Sequence, residues 1–251
     1  MNNSGSTFFS AVHQLIDQLH ADEGANISLA AGILKSQIAQ GRLIHVFGVS
    51  GHSVIGCEEF FWRAGGLACI SPIFDLSLNL SGGGLKSTAL ERVPGVGDKA
   101  VKVLNLDDED VLIITSIYGM NAATIDAALE AKSRGVKIIA ITSKRHAEQT
   151  PRDFVARHPS GKNLADIADV TIDNHVPHGD CLIQRPGYDQ KVGPGSTILV
   201  SCCVQWLVIE TLRQCEEAGI QPPVWCSANM PGGDQLNHDL IGSYAKRIKA
   251  L

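Results

Sequence analysis

No two cysteines in this chain are spaced C-x-x-C, and their number, seven, is odd. That argues against a structural zinc site and against a disulfide framework. Cys57, Cys69, Cys181, Cys202, Cys203, Cys215 and Cys226 mostly sit in apolar or helical contexts, where a thiol behaves as a small hydrophobe. Long runs of like charge are also missing. The longest is "DDED" (Asp107–Asp110), and the net charge of the 251 residues is −5. A nucleic-acid footprint is therefore not expected. The first residues, "MNNSGSTFFSAVHQLIDQLHADE", lack a basic segment and carry His13, Asp17 and His20 inside their apolar pattern, unlike a signal peptide. No uninterrupted apolar stretch approaches the roughly 20 residues of a membrane span. The longest candidate, "STILVSCCVQWLVIETL", is interrupted by Gln205 and Glu210. Internal repeats and linker-like composition are absent, and no helix-turn-helix pattern precedes the rest. The expectation is one domain over residues 1–251, cytoplasmic, with reduced thiols and with neither nucleic acid nor membrane as partner.

What is present is alternation. Residues 6–40 repeat apolar side chains at helical spacing (Phe9, Val12, Ile16, Leu19, then Ile27, Ala30, Ile33, Leu34, Ile38), with a bend at "ADEGAN" and a stop at Gly41. Five β runs follow: "LIHVFGV", "LACIS", "VLIITS", "VKIIAITS" and "ADVTID". Helical stretches separate them, one from about Ser53 to Ala64 and another, "AATIDAALEAKSRG", closed by Gly135. Two more helices are expected, over 196–218 and 235–250. Strands apolar on both sides, separated by helices, predict a parallel sheet covered on both faces: a three-layer α/β/α sandwich with five strands. Three stretches, 71–97, 143–163 and 173–195, fit no regular element. Loops of that length are usually functional.

Two strand ends open into small polar turns. The first runs Gly48, Val49, Ser50, Gly51, His52, Ser53; the second Ser116, Ile117, Tyr118, Gly119, Met120, Asn121. The fourth strand ends at Thr142 and Ser143. In a parallel sheet, ligands sit beyond the carboxyl ends of the strands. Turns carrying hydroxyls and free N–H groups at that edge suit an anion or a polyol. Taken singly, each is more often a helix cap than a binding site. The first turn is neither G-x-G-x-x-G nor a P-loop, so a dinucleotide or nucleoside triphosphate is not implied.

The order of strands, both polar turns, "EEFFWRAGG", "HPSGKNLADIADVTIDN", "VPHGD" and the tail "PPVWCSANMPGGDQLNHDLIGSYAKRI" together resemble the sugar isomerase (SIS) domain family. Within it they are most similar to a stand-alone, uncharacterised bacterial group related to phosphoheptose isomerases and to N-acetylmuramic acid 6-phosphate etherases. The resemblance implies a phosphosugar site at the sheet's C-terminal edge. It also implies a homodimer or homotetramer, paired through an N-terminal helical extension (1–41), with sites near subunit boundaries. In the family a Ser-x-Ser-Gly-x-Thr turn holds phosphate. Here Asn121 stands in the Thr place, and Tyr118 replaces the second serine. By the same resemblance Glu59 is the catalytic base, Arg63 contacts substrate, and Glu91 matches the second acidic residue of the etherases. Cys203 occupies the place of a late-helix histidine, leaving His52, His175, His178 or His238 as substitutes.

Aldose–ketose isomerisation needs a carboxylate near C2, a ring-opening proton shuttle and donors for an enediolate. Glu59 would be the base, His52 or His178 the shuttle, and N–H groups at Gly51 and Gly119 the donors. Gly48, Ser50, Ser53, Arg63, Ser116, Tyr118, Asn121 and Ser143 complete the expected binding set. No metal or redox cofactor is called for; His175, His178 and Asp180 are ligand types without a known metal spacing. Two readings compete with the isomerase: an etherase using Glu59 and Glu91, and a sugar-phosphate sensor that performs no chemistry.

Overall fold

The computed structural model describes residues 4–251. The N-terminal periodicity becomes two helices, α1 (Ser4–Asp22) and α2 (Gly24–Ala39), broken at the expected bend. The chain then forms β1 (Ile44–Gly48), α3 (Val54–Phe60) and β2 (Ile70–Ile73). Next come α4 (Gly84–Leu90), α5 (Gly97–Lys102), β3 (Val111–Thr115), α6 (Ala122–Ser133), β4 (Lys137–Thr142), α7 (Lys144–Gln149) and β5 (Val170–Asp173). A hairpin of β6 (Cys181–Ile183) and β7 (Val192–Pro194) precedes α8 (Ser196–Glu217) and α9 (Gly233–Tyr244).

The main sheet has five parallel strands in the order β2-β1-β3-β4-β5. Both faces are apolar, for the reason the strand sequences suggest. In "VLIIT", Val111 and Ile113 pack with Ile27, Leu34, Val204 and Leu207 on the side of α2, α3 and α8. Leu112 and Ile114 pack with Val101, Ile125 and Ala128 on the side of α5 and α6. Alternate residues thus feed opposite cores, so the strand reads as a continuous apolar run. Pro72 is tolerated because β2 is an edge strand.

Several expectations shift. The second strand begins at Ile70 rather than Leu67, and the helix after β1 stops at Phe60 rather than Ala64, where Trp62 turns the chain with φ 53°. The last helix spans Gly233–Tyr244 rather than 235–250. All three stretches assigned no regular element contain some: α4 within 71–97, α7 within 143–163, and the β6/β7 hairpin within 173–195. Each is three to seven residues long, too short for periodicity to register. Helix α8 has 22 residues and is long and apolar enough to cross a bilayer by length and composition, against the sequence expectation. Its buried side, Val200, Cys203, Val204, Leu207 and Val208, is one wall of the core.

Candidate functional site

The strand order reverses direction at β1 and β3, which lie side by side with Gly48 opposite Thr115. The turns that leave these two strands splay apart there and leave a crevice, the usual ligand position in such a sheet. A cleft of about 380 Å³ occupies it. Ser50, Gly51, His52 and Ser53 line it from the first turn, and Ser116, Ile117, Tyr118 and Asn121 from the second. The third side comes from the glycine-rich segment through Leu80, Gly84, Leu85, Thr88 and Glu91, and Asp180 closes the rim.

The first turn is locked to the second. Ser53 Oγ accepts the Ile117 N–H at 3.1 Å, and Thr115 Oγ1 donates to the Ser53 carbonyl at 2.8 Å. Close approach requires Gly48: a Cβ there would lie 2.5 Å from the Ser53 carbonyl oxygen and 2.6 Å from Val54 Cα. In the second turn Ser116 Oγ accepts the Gly119 N–H at 3.1 Å. Gly119 has φ +61°, and a Cβ on it would stand 2.4 Å from Thr142 Oγ1. Gly48 and Gly119 therefore shape the turns rather than line the cleft.

Glu91 is the carboxylate that faces the cleft beside the first turn. Ser50 Oγ donates to its Oε2, while the other oxygen takes no hydrogen bond from the described residues. Asp180 faces the same space but is engaged as a helix cap. Its Oδ1 accepts the Ser196 N–H at 2.9 Å and its Oδ2 accepts the Ser196 hydroxyl at 2.8 Å, at the start of α8. Among the described residues no lysine or arginine lines the cleft.

Tyr118 forms part of the wall without filling the space. Its ring stacks on His146 at 3.7 Å between centroids, and His146 stacks on His178 at 4.7 Å. Burial, reinforced by Asp180, Cys181 and Glu91, pushes the phenol up to about 12, so it stays a neutral hydrogen-bond donor. Burial also drives His146 down to about 4, with His178 and Arg157 adding to it. The Gly179 N–H donates to His146 Nδ1 at 3.2 Å, which leaves the ring proton on Nε2.

Other expected residues lie off the cleft. Glu59 of α3 and Arg63, just past the end of that helix, pair at 3.3 Å, and Gln205 of α8 donates to Glu59 Oε1 at 2.6 Å. Cys203 points into the core and is fully buried, so the α8 residue that reaches Glu59 is Gln205. Ser143 is fully buried: it caps α7 by accepting the His146 N–H at 3.0 Å and donates to the Val176 carbonyl at 2.6 Å. His178 sits in the ring stack. His175 lies 3.6 Å from Asp22 and 3.8 Å from Glu23, and His238 is exposed on α9 beside Asp239. His175, His178 and Asp180 thus face three different neighbours. Among the described residues no group of three or more metal-binding side chains gathers.

Sequence reasoning did not single out Leu80, Leu85, Thr88, Ser87 or His146. Ser87 accepts the Gly51 N–H at 3.4 Å and donates to the Leu78 carbonyl at 2.6 Å, tying the glycine-rich segment to the first turn. The available signal was the length and glycine content of 71–97, which marks a functional loop without saying which side chains face inward.

Comparison with known proteins bears on the family and the fold. A sequence model of the SIS domain matches residues 7–143, more than half of the chain. The chain belongs to the SIS domain family. A similar relative of this SIS protein is a "UPF0309 protein" of Thermoanaerobacter pseudethanolicus, 37% identical over 248 residues that cover 97% of this chain and 98% of the relative. In fold it is similar to a phosphoheptose isomerase from Francisella tularensis (TM-score 0.54, 15% identity, 83% of this chain and 96% of that one). It is also similar to the Vibrio vulnificus NanR protein, solved in complex with ManNAc-6P (TM-score 0.50, 14% identity, 87% of this chain and 66% of that one).

Proposed function

We propose that this SIS protein binds a phosphorylated sugar, or a closely similar anionic carbohydrate, in the cleft between the β1 and β3 turns. We further propose that it isomerises the sugar between aldose and ketose through a cis-enediol. The observation that carries the reading is the convergence of Ser50, Ser53, Ser116, Asn121 and Tyr118 on one crevice with a single uncapped carboxylate, Glu91. Hydroxyls and turn N–H groups can hold an oxyanion without a fixed cation. A neutral phenol donates a further hydrogen bond. The phosphoheptose isomerase and the ManNAc-6P-bound protein of like fold support the ligand class.

In this mechanism a carboxylate removes the C2 proton, the electron pair of that C–H bond forms the C1–C2 double bond as the carbonyl pair moves to O1, and the carboxylic acid, whose proton exchanges with solvent, then protonates C1. The oxygen-bound proton passes between O1 and O2, a transfer suited to the exposed imidazole of His52. We assign the base to Glu91, which lines the cleft with its Oε2 oriented by Ser50. Glu59, the base implied by family resemblance, bonds Gln205 and Arg63 away from that lining. It would act only in a site shared between copies, as in family members whose sites lie near subunit boundaries. The etherase reading needs both glutamates on one ligand, so the separate surroundings of Glu59 and Glu91 favour the isomerase.

Solvent exchange tests the proposal. The protein is incubated with a panel of aldose and ketose phosphates in deuterated water, and deuterium at C2 is followed by NMR. Exchange lost in Glu91→Gln and retained in Glu59→Gln supports the assignment. The reverse pattern moves the base to Glu59 and to a shared site. Binding without exchange for every sugar makes the protein a sensor, and lactate release that needs both glutamates makes it an etherase.

A further inference from the structure

Two stretches that carry the family resemblance, "EEFFWRAGG" and the tail "PPVWCSANMPGGDQLNHDL", take no part in the cleft. They meet elsewhere. Trp62 of the first and Trp225 of the second lie with ring centroids 4.6 Å apart and planes inclined at 57°. Beside this ring pair opens a cavity of about 150 Å³ that shares no lining residue with the cleft. Its volume is well under the roughly 300 Å³ at which drug-sized pockets begin, so it suits a single ring.

The cavity is held by bonds on both sides. The Trp225 N–H donates to the Gly66 carbonyl at 2.9 Å, and the Gly65 N–H donates to the Trp225 carbonyl at 2.8 Å. Asn237, only 4% exposed, clasps Cys226 from both ends: its Oδ1 accepts the Cys226 N–H and its Nδ2 donates to the Cys226 carbonyl, each at 2.9 Å. Trp225 is 4% exposed and forms the floor, whereas Trp62 leaves 48% of its surface open. Trp62 also has φ 53°, a conformation that a bulky residue adopts only when its surroundings impose it. Among the described residues no charged side chain lines the cavity. It offers indole faces, the Ser227 hydroxyl and the amide of Asn229.

We propose that this cavity is a second binding site, for an uncharged sugar ring. The ring's C–H face would lie on the indole of Trp62, and its hydroxyls would bond Ser227 and Asn229. An aromatic plate with a few polar groups at its edge matches a guest with one apolar face and a polar rim. A phosphorylated guest would bring a charge that nothing in the lining neutralises. A cationic guest would gain from the indole but meets no carboxylate.

The full chain has three tryptophans, Trp62, Trp206 and Trp225, whose indole N–H signals are resolved by NMR and assigned with single Trp→Phe variants. The probes are methyl β-glucopyranoside and N-acetylglucosamine. The expected result is that at least one moves the Trp62 and Trp225 signals and leaves Trp206 in place. Trp62→Ala should then weaken binding about tenfold. Trp62→Phe should keep most of the binding and serves as the control for folding. Asn229→Ala, at an exposed position, should weaken binding severalfold. The proposal is overturned if neither sugar moves the two signals, if choline moves them and the sugars do not, or if the shifts persist unchanged in Trp62→Ala.

Discussion

Ser50 and Ser53 are near neighbours with different duties. Ser53 Oγ is buried and accepts the Ile117 N–H, so it holds one turn against the other. Ser53→Ala should lower stability by about 1 kcal/mol, read as a drop in Tm. Ser50 Oγ faces the cleft and orients Glu91. Ser50→Ala removes the hydroxyl that orients Glu91, so it should slow deuterium exchange at C2 more than it weakens phosphosugar binding, read by NMR and calorimetry. His146 adds a pH dependence. In the fold its imidazole titrates at about 4, chiefly because it is buried; unfolded, it returns to about 6.5. Between those values the unfolded chain binds more protons, so stability rises with pH there. The contribution is complete above the unfolded value and is lost as pH falls toward the folded one. His146→Phe keeps a ring in the stack and removes the titration. Tm of that variant should fall less steeply across this window than Tm of the unsubstituted protein.

Helix α8 links cleft and core. Asp180 caps its first turn through both carboxylate oxygens while standing at the cleft rim. Asp180→Ala should cost about 1–3 kcal/mol, the range for lost hydrogen bonds to a charged group. Thermal unfolding measures it, and a ligand that contacts this rim should lose affinity in the same variant. Further along, Leu207 is fully buried against the sheet. Leu207→Ala should cost about 2–5 kcal/mol through lost burial and the cavity left behind, a loss visible as a lower denaturant midpoint without altered cleft chemistry. The glycine-rich segment behaves differently. Leu85 on α4 is 92% exposed although it lines the cleft. That makes α4 a wall that a bound ligand would cover.

At the scale of the molecule, α1, α2 and α8 turn Phe9, Leu29 and Ile209 outward, each 62% exposed. Exposed large apolar side chains on neighbouring elements are what an interface between copies would bury. Sedimentation should therefore give a mass above the 26.8 kDa of one chain. Lysine at Phe9 and Ile209 together should shift the protein toward the monomer. If the unsubstituted protein sediments as a monomer, a site shared between copies is ruled out with it, and Glu59 has no route to the ligand.

The architecture was legible in the sequence because its determinants are local. A strand buried on both sides must be apolar throughout, a helix between such strands must cover one face of the sheet, and β1 through β5 follow from those two conditions. The two polar turns were legible for the same reason, since each directly follows a strand whose end could be located. What only the tertiary structure decided is which polar groups share the cleft. Family resemblance gives both Glu59 and Glu91 a role, yet only Glu91 is carried to the crevice, by a short helix with too few residues to show a period. Asp180, His146 and Gln205 meet their partners across long separations in the chain. Such contacts depend on where loops fold back, and loop paths are set by packing and hydrogen bonds that exist only once the sheet is assembled.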